Sequence, residues 1–291
     1  MPPHLVIGAS GLVGNALMRS LAARGLPAVG TYHHYELPGL HPLDLACEEA
    51  VRALIAEVRP AVIHLPAAVA RVDACERDPA ATYAVNVRGV RHVRDAAAAI
   101  GARVVYYSTD YVFPGEGGPY REEGPIRPLQ EYGRQKAWAE HTLLAGSQAP
   151  LILRPAWIYG WDPQRTSFAC QVIDRLRRGE RFRAFVDQIG HPTYAPDLAA
   201  AAIALVEAGA TGIFHVAGAE AASRYEQAVA TAEAFGLDPD LIEGIPSAAM
   251  ALPAPRPPVC RLCLDKLERT IGWRPRPYRE ALRAMVDDAP R

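Results

Sequence analysis

The segment Val6-Ile7-Gly8-Ala9-Ser10-Gly11-Leu12-Val13-Gly14 indicates the fold most clearly, because a short apolar run leads through spaced glycines into an amphipathic helical pattern. A pyrophosphate needs backbone N–H groups that it can approach closely at a helix N-terminus. Gly8 permits a tight turn, Gly11 omits a Cβ that would block the phosphates, and Gly14 lets the helix pack on the strand. The stretch therefore predicts a dinucleotide-binding turn, with a ligand-free strand–helix turn as the alternative.

Short β-branched runs alternate with longer helical patterns from this turn to about residue 217. Such alternation is typical of right-handed β-α-β units on a parallel sheet. We therefore predict an α/β protein with a Rossmann-type, doubly wound parallel sheet. Strands are predicted at 5–7, 28–31, 61–65, 103–107, 151–154 and 212–216. Helices are predicted near 12–24, 47–59, 79–100, 129–147 and 196–208.

The later part of the chain changes character. Prolines interrupt any regular sheet at positions 246, 253, 255, 257 and 258. Segment 161–194 also lacks a clean alternation of strands and helices. We predict that residues 1–160, joined by 195–217, form the dinucleotide-binding core. Residues 161–194 and 218–291 are then expected to form a smaller, mainly C-terminal substrate-binding lobe.

Composition excludes several classes of function. Of the 291 residues, 50% are hydrophobic and 22% are charged, which is typical of soluble globular proteins. The net charge of −1, without a block of like charge, argues against nucleic acid or an anionic membrane as a partner. Neither a signal peptide nor a spanning segment is recognised, so a cytoplasmic protein is expected. The five cysteines are scattered and odd in number, which predicts free thiols and no metal site.

The end of the second predicted strand bears on the choice of cofactor. NAD-binding folds usually place an acid there for the ribose 2′-hydroxyl, whereas this chain reads Thr31-Tyr32-His33-His34 and has no carboxylate before Glu36. That absence favours NADP(H), with NAD(H) as an alternative. The histidines are only partly charged near neutral pH and could equally be loop residues. Asp44 is placed to meet the adenine, although a helix N-cap explains it too.

A tyrosine and a lysine share a helix face in Tyr132-Gly133-Arg134-Gln135-Lys136, where they stand four residues apart. The only lysines among the 31 basic residues are Lys136 and Lys266. This chain uses arginine at almost every other basic position but has lysine here. The alternative, that Tyr132 and Lys136 are solvent-exposed residues without a function, is therefore the weaker interpretation. A compact ammonium can hydrogen-bond a ribose and lower the pKa of a neighbouring phenol, whereas a guanidinium fits poorly.

Polar residues follow the predicted strand at 103–107, namely Ser108, Thr109 and Asp110, the first two of which carry hydroxyl groups. Ligands bind at the carboxyl edge of open parallel sheets. A hydroxyl there could orient a substrate carbonyl beside Tyr132. Ordinary turn chemistry is the alternative, since these residue types are common in turns.

Together these residues resemble the extended short-chain dehydrogenase/reductases, over nearly the whole chain. Gly8, Gly11 and Gly14 match the nucleotide loop of that superfamily. Its catalytic triad and helix asparagine are matched by Thr109, Tyr132, Lys136 and Asn86. Shorter motifs resemble the dTDP-4-dehydrorhamnose reductases, namely Ser108 to Phe113, Leu153-Arg154, Trp157 to Gly160, Gln188 through Thr193, and Arg256-Pro257.

The resemblance implies hydride transfer from NADP(H) to the keto carbon of a nucleotide-linked 4-keto-6-deoxysugar, with a homodimer left open. Tyr132 would donate the proton, Lys136 would hold the ribose, and Thr109 would fix the carbonyl. The expected catalytic residues are Thr109, Tyr132, Lys136 and Asn86. Cofactor contacts are expected from Gly8, Ser10, Gly11, Leu12, Val13, Gly14, Thr31, His33, Asp44, Leu45, Ala67, Ala68, Tyr132 and Lys136. Substrate contacts are expected from Thr109, Asp110, Tyr111, Trp157, Gln188 and Arg256.

The chain departs from the family pattern near the sugar and the nicotinamide. Leu65-Pro66 precede the small residues after the third strand, Ala70 stands where threonine is common, and Ala156 replaces Ser or Thr. These departures affect the identity of the substrate more than the type of reaction. A 4,6-dehydratase would carry an Asp-Glu pair after the strand-end Thr, but Tyr111 follows Asp110 here.

A binding protein is the alternative from another class. The regulatory β subunit of methionine adenosyltransferase is similar to the same subfamily and binds NADP. Its likeness to this chain includes Pro119 to Glu123 and Asp265 to Glu268. The retained Thr109, Tyr132 and Lys136 favour catalysis.

Overall fold

The computed structural model describes residues 2–146 and 148–290. Its strands are β1 (His4–Val6), β2 (Ala28–Tyr32), β3 (His41–Pro42), β4 (Val62–Leu65), β5 (Arg103–Tyr107), β6 (Glu116–Tyr120), β7 (Leu151–Arg154), β8 (Ile158–Tyr159), β9 (Phe182–Phe185), β10 (Ile189–Gly190), β11 (Thr193–Tyr194), β12 (Gly212–His215), β13 (Ala222–Ser223), β14 (Ile242–Ile245) and β15 (Val259–Leu262). Its α-helices are α1 (Leu12–Ala23), α2 (Glu48–Val58), α3 (Val72–Arg77), α4 (Pro79–Tyr83), α5 (Gly89–Ile100), α6 (Glu131–Leu144), α7 (Phe168–Arg177), α8 (Ala195–Glu207), α9 (Arg224–Ala234), α10 (Asp265–Ile271) and α11 (Tyr278–Asp287). A π-helical turn (Ala84–Arg88) joins α4 to α5.

A parallel sheet organises the fold, with strand order β12-β7-β5-β4-β1-β2-β3. Each neighbouring pair in it is parallel. The chain order reverses between β1 and β4, where open α/β sheets form their ligand crevice. The predicted Rossmann-type fold is confirmed, and the six predicted strands agree with the observed ones to within one residue at each end. The two-residue β3 and the helix α3 were not predicted.

Apolar side chains on both faces of this sheet explain why its inner strands are buried. On one face α1 and α8 pack through residues such as Leu17 and Leu198. On the other face α2, α5 and α6 pack through residues such as Ile55 and Val93. Alternate strand positions therefore supply two hydrophobic layers, which hold the carboxyl ends of the strands rigidly.

A second sheet lies outside the parallel one and has the order β13-β10-β15-β6. Its strand β6 comes from the range 1–160, whereas β10, β13 and β15 come from 161–194 and 218–291. The division into a core and a substrate lobe stays a prediction. The predicted helix end at residue 147 and the chain ends at 1 and 291 lie outside the described residues.

Candidate active site

A cleft of about 1010 Å³ opens at the carboxyl ends of the central strands. Gly8, Pro66, Ser108 and Pro155, which follow β1, β4, β5 and β7, all line it. The cleft brings together many residues that the sequence predicted for the site, namely Gly8, Gly11, Leu12, Val13, Gly14, Ala68, Thr109, Asp110, Tyr111, Tyr132 and Trp157. Other predicted residues stand outside its lining, namely Ser10, Thr31, His33, Asp44, Leu45, Ala67, Asn86, Lys136, Gln188 and Arg256.

The glycine turn has the close contacts that its sequence predicts. Gly8 has a φ of +94°, and a Cβ there would lie 2.9 Å from the Cβ of Ala67. A Cβ on Gly14 would overlap the Gly8 carbonyl oxygen. The Gly8 N–H donates to Thr31 Oγ1 at 3.1 Å, which ties the turn to β2. Gly11 is the N-cap of α1 and has no side chain there, so a phosphate could approach the first N–H groups of the helix.

Tyr132 and Lys136 lie on one face of α6, as their spacing predicts. Lys136 is 2% exposed, and its Nζ donates to the Tyr107 carbonyl oxygen at 2.7 Å. The same Nζ is 5.9 Å from the ring centroid of Tyr132 and 4.6 Å from that of Tyr106. A Cβ on Gly133 would overlap the Tyr111 carbonyl oxygen, so this glycine lets the helix approach the end of β5 closely.

The prediction that Lys136 lowers the pKa of Tyr132 is wrong in this structure. Burial, followed by the Asp110 carboxyl and the Cys75 thiol, raises the pKa of Tyr132 well above its usual value, and the Thr109 hydroxyl opposes this only in part. Burial also lowers the pKa of Lys136 to about 7, against the attraction of Glu140. The cost of desolvating both groups exceeds the benefit of placing them together.

Asp110 is a buried acid at the same point of the cleft. Thr109 Oγ1 donates to its Oδ1 at 3.2 Å, while its Oδ2 has no hydrogen-bond partner among the described residues. Burial raises the pKa of Asp110 to about 7. A carboxyl group that titrates near neutral pH therefore lies beside the predicted triad.

Asn86 lies within the π-helical turn and connects two segments of the site by hydrogen bonds. It accepts a hydrogen bond from the Val69 N–H at 2.8 Å and donates to the Val69 carbonyl at 3.1 Å. Its Nδ2 also donates to Gln135 Oε1 at 2.9 Å, and Gln135 Nε2 donates to Thr82 Oγ1 at 3.0 Å. Asn86 thus joins the loop after β4 to α6, between Tyr132 and Lys136. In this arrangement it acts as a positioning residue.

A buried ion pair between Arg154 and Glu140 lies near Lys136. Arg154 donates from Nε and Nη2 to the Glu140 carboxylate at 2.9 and 2.6 Å, and each side chain is 3% exposed. The pair joins β7 to α6 one helical turn beyond Lys136. Removing one partner would leave an unpaired buried charge, which usually costs about 3–5 kcal/mol.

The expected adenosine end places an imidazole beside a carboxylate. His33 Nε2 lies 3.9 Å from Asp44 Oδ1, and both side chains are about half exposed. Asp44 Oδ1 accepts from the Ala46 N–H at 2.9 Å, whereas the N-cap of α2 is Cys47. The fold therefore places a carboxylate beside His33 that is not apparent from the strand ending alone.

Gln188 and Arg256 are engaged with other parts of the protein. Arg256 Nη2 donates to Asp73 Oδ1 at 2.8 Å, and its Nη1 donates to the Ala254 carbonyl at 2.6 Å. The Gln188 carbonyl oxygen accepts from the Arg224 N–H at 3.2 Å. Their assignment as substrate contacts stays a prediction.

Arg224 lines the cleft and was missed by the sequence analysis. Its guanidinium carbon lies 3.7 Å from the ring centroid of Trp157 and 4.9 Å from that of Phe168. Trp157 has a φ of +44°, which is rare for a bulky residue and is often found at functional sites. Because the chain is rich in arginine and Arg224 lies 67 positions beyond Trp157, no local pattern distinguishes it.

Two further observations concern the residues that the structure describes. None of their helices is long and apolar enough to cross a bilayer. Nor do three or more of their His, Cys, Asp or Glu side chains come together in a way that could hold a metal ion.

Comparison with known proteins shows where the chain belongs. The sequence profile of the RmlD substrate binding domain matches residues 4–290. A probable dTDP-4,6-dihydroxy-2-methyloxan-3-one 4-ketoreductase of Streptomyces antibioticus is 35% identical over 98% of this chain and 94% of its own. A dTDP-4-dehydrorhamnose reductase of Streptomyces griseus is 38% identical over 88% of this chain and 84% of its own.

Solved structures agree with this relationship. The crystal structure of dTDP-4-dehydrorhamnose reductase from Bacillus anthracis in complex with NADP superposes with a TM-score of 0.91 at 26% identity, covering 99% of this chain and 100% of that one. The predicted resemblance to dTDP-4-dehydrorhamnose reductases is confirmed. The profile match spans nearly the whole chain, so this protein belongs to the RmlD substrate-binding domain family.

Proposed function

We propose that this protein is an NADP(H)-dependent reductase of a nucleotide-linked 4-keto-6-deoxysugar. The observation that carries the proposal is one cleft shared by the glycine turn, Thr109 and Tyr132, with Lys136 one helical turn behind. The names of the two Streptomyces relatives, a ketoreductase and a dehydrorhamnose reductase acting on dTDP sugars, support it. A regulatory NADP-binding protein is the alternative that the experiment below tests.

The residues of the site divide the chemistry between them. The glycine turn and Lys136 would hold NADPH, which would supply a hydride to the keto carbon. Thr109 Oγ1 turns its single proton from Asp110 Oδ1 to the substrate carbonyl. Tyr132 gives its phenolic proton to the carbonyl oxygen, so that C=O becomes CH–OH. Since burial keeps the pKa of Tyr132 high, the phenol holds its proton at neutral pH until an alkoxide forms. Lys136 holds the ribose.

The turn fits a dinucleotide, because Gly11 places no side chain over the first N–H groups of α1, while Gly8 and Gly14 let the turn pack closely against Ala67 and its own main chain. The related Bacillus anthracis protein binds NADP, which supports NADP(H) as the preferred cofactor and NAD(H) as the alternative. The His33 imidazole can donate a hydrogen bond to the 2′-phosphate, whereas the Asp44 carboxylate, 3.9 Å from His33 Nε2, repels it. We therefore expect a modest preference.

The test is Tyr132→Phe, which removes one hydroxyl and keeps the ring. Loss of a general acid typically lowers turnover by about 10²- to 10⁴-fold. We expect that fall in NADPH-dependent reduction of a dTDP-4-keto-6-deoxysugar, measured by absorbance. NADPH affinity, measured by fluorescence, should change little.

Tyr83→Phe is the matched control, because Tyr83 is 38% exposed on α4 and outside the cleft lining. It should keep full turnover. Reduction that survives Tyr132→Phe unchanged would refute the mechanism. A protein that binds NADPH but reduces none of a broad panel of nucleotide sugars would instead support the regulatory alternative.

A further inference from the structure

The position of the Arg224 backbone is set by three separate contacts. Its N–H donates to the Gln188 carbonyl at 3.2 Å, and β13, which ends at Ser223, pairs with β10. Ser223 Oγ accepts from the Glu226 N–H at 3.1 Å, while the Ser223 N–H donates to Glu226 Oε2 at 2.7 Å. This capping box fixes the first turn of α9. Arg224 therefore projects from a rigid element.

The side chain is held by stacking. The guanidinium carbon is 3.7 Å from the Trp157 ring centroid, and Nη1 donates to Gln227 Oε1 at 3.1 Å. Trp157 in turn packs closely on Gly190, where a Cβ would lie 2.6 Å from the indole Cε2. Stacking on an indole occupies the face of a guanidinium and leaves N–H groups at its edge for an acceptor with two oxygens, such as phosphate.

Two other arginines near the cleft are paired with carboxylates, whereas Arg71, which also lines the cleft, is exposed to solvent. Arg165 pairs with Asp174, and Arg256 pairs with Asp73. Arg224 forms no salt bridge with any carboxylate in residues 2–146 and 148–290. Asp110, the nearby acid, has a pKa of about 7, so at neutral pH it carries only part of a compensating charge.

The balance of charge favours an anionic ligand here. Burial lowers the pKa of the Arg224 guanidinium, which shows that the ionised form is poorly solvated. An anion would relieve this cost through charge-assisted hydrogen bonds. The glycine turn, which suits the phosphates of the dinucleotide, lines the same cleft, so a second anionic group belongs to the other ligand.

We propose that Arg224, stacked on Trp157, binds the diphosphate of the nucleotide-linked substrate and so selects nucleotide sugars over free sugars. This inference rests on the proposed function, because it names the group by which that substrate is recognised. It assigns Gln188 an indirect role, in which its main chain positions Arg224.

The test is calorimetric titration with dTDP, UDP and thymidine, which needs no turnover. Arg224→Gln should weaken binding of both diphosphates by about 10- to 100-fold, the usual effect of losing charge-assisted hydrogen bonds. Thymidine affinity should stay within about twofold, because it lacks phosphate. Arg224→Lys keeps the charge but loses the stacked fork, so an intermediate loss is expected.

Arg165→Gln is the matched control, since it removes a cation of the same cleft that Asp174 already pairs. Its diphosphate affinity should fall less than about threefold. Thermal unfolding of each variant checks the fold, and if Arg224→Gln does not fold, Arg224→Lys carries the test.

Each outcome decides the inference. Unchanged diphosphate affinity in both Arg224 variants overturns the role of Arg224 and leaves the reductase proposal standing. If the parent reduces a nucleotide sugar but the Arg224 variants lose affinity for thymidine and for the diphosphates equally, the role of Arg224 is structural only and the inference is overturned. A parent that binds neither dTDP nor UDP would overturn both proposals.

Discussion

Lys136 and Lys266, the chain's two lysines, make the same kind of contact. Lys136 donates to the Tyr107 carbonyl and lies over the ring of Tyr106. Lys266 donates to the Ile213 carbonyl at 2.6 Å and lies 4.5 Å from the Phe214 ring centroid. A compact ammonium suits such a space better than a planar guanidinium. Lysine scarcity therefore identifies ammonium groups packed against a main-chain carbonyl and an aromatic ring, and only position in the fold shows which of the two serves the site.

Lys136→Arg should lose most of the activity, because the larger guanidinium cannot occupy the same buried space without displacing Tyr132 or the carbonyl at the end of β5. The measurement is kcat with NADPH and a dTDP-4-keto-6-deoxysugar. Lys266→Arg is the control, and it should keep its turnover because Lys266 contacts β12 at the edge of the sheet, whereas Lys136 lies one helical turn from Tyr132. Near-normal kcat in Lys136→Arg would remove the reason for assigning it to the reaction.

At the scale of elements, α6 serves the site through several faces. It presents Tyr132 to the cleft, Lys136 to the end of β5, Gln135 to Asn86 and Glu140 to Arg154. These contacts require the helix to lie very close to the main chain after β5. Gly133 is the residue that permits this approach.

Gly133→Ala should lower kcat by about 10- to 100-fold, because an added Cβ would push α6 away from Tyr111 and displace the phenol. Turnover should be measured well below the thermal midpoint, which is followed by circular dichroism. Gly101→Ala is a matched control, since Gly101 has a φ of +73° and open space around its Cα. That variant should lose about 1 kcal/mol of stability and keep its kcat. Equal kcat in both variants would contradict the argument.

Across the whole molecule, buried histidines link stability to pH. Burial lowers the pKa of His64 and of His215 to about 3, from a usual 6.5. Both are uncharged in the folded protein, whereas the unfolded chain binds their protons below pH 6.5. Their stabilising contribution is therefore complete above pH 6.5 and is lost progressively as the pH falls towards 3.

His215→Asn should make unfolding less sensitive to acid. Each such histidine contributes a slope of about 1.4 kcal/mol per pH unit between pH 6 and 4, and the variant removes one of them. Asparagine can still donate to the Cys263 carbonyl, which lies 3.2 Å from His215 Nδ1. Urea unfolding at several pH values measures the slope. The exposed loop variant His34→Asn should leave it unchanged, and an equal slope in His215→Asn and the parent would contradict the assignment.

The parallel sheet, the glycine turn and the pairing of Tyr132 with Lys136 could all be predicted from the amino-acid sequence. Each of these depends on local periodicity: a run of four or five apolar residues, glycines three apart, and side chains one helical turn apart. Such patterns hold whatever the rest of the chain does. For that reason the six main strands could be predicted closely.

The electrostatics of the site and the contacts between distant segments could not be predicted in this way, because they arise only in the folded chain. The pKa of Tyr132 depends on burial and on Asp110 and Cys75, none of which the spacing of Tyr132 and Lys136 contains. Arg224 meets Trp157 because β13 pairs with β10, far from either residue's own motif. Burial and long-range packing are properties of the assembled chain, so local patterns cannot determine them.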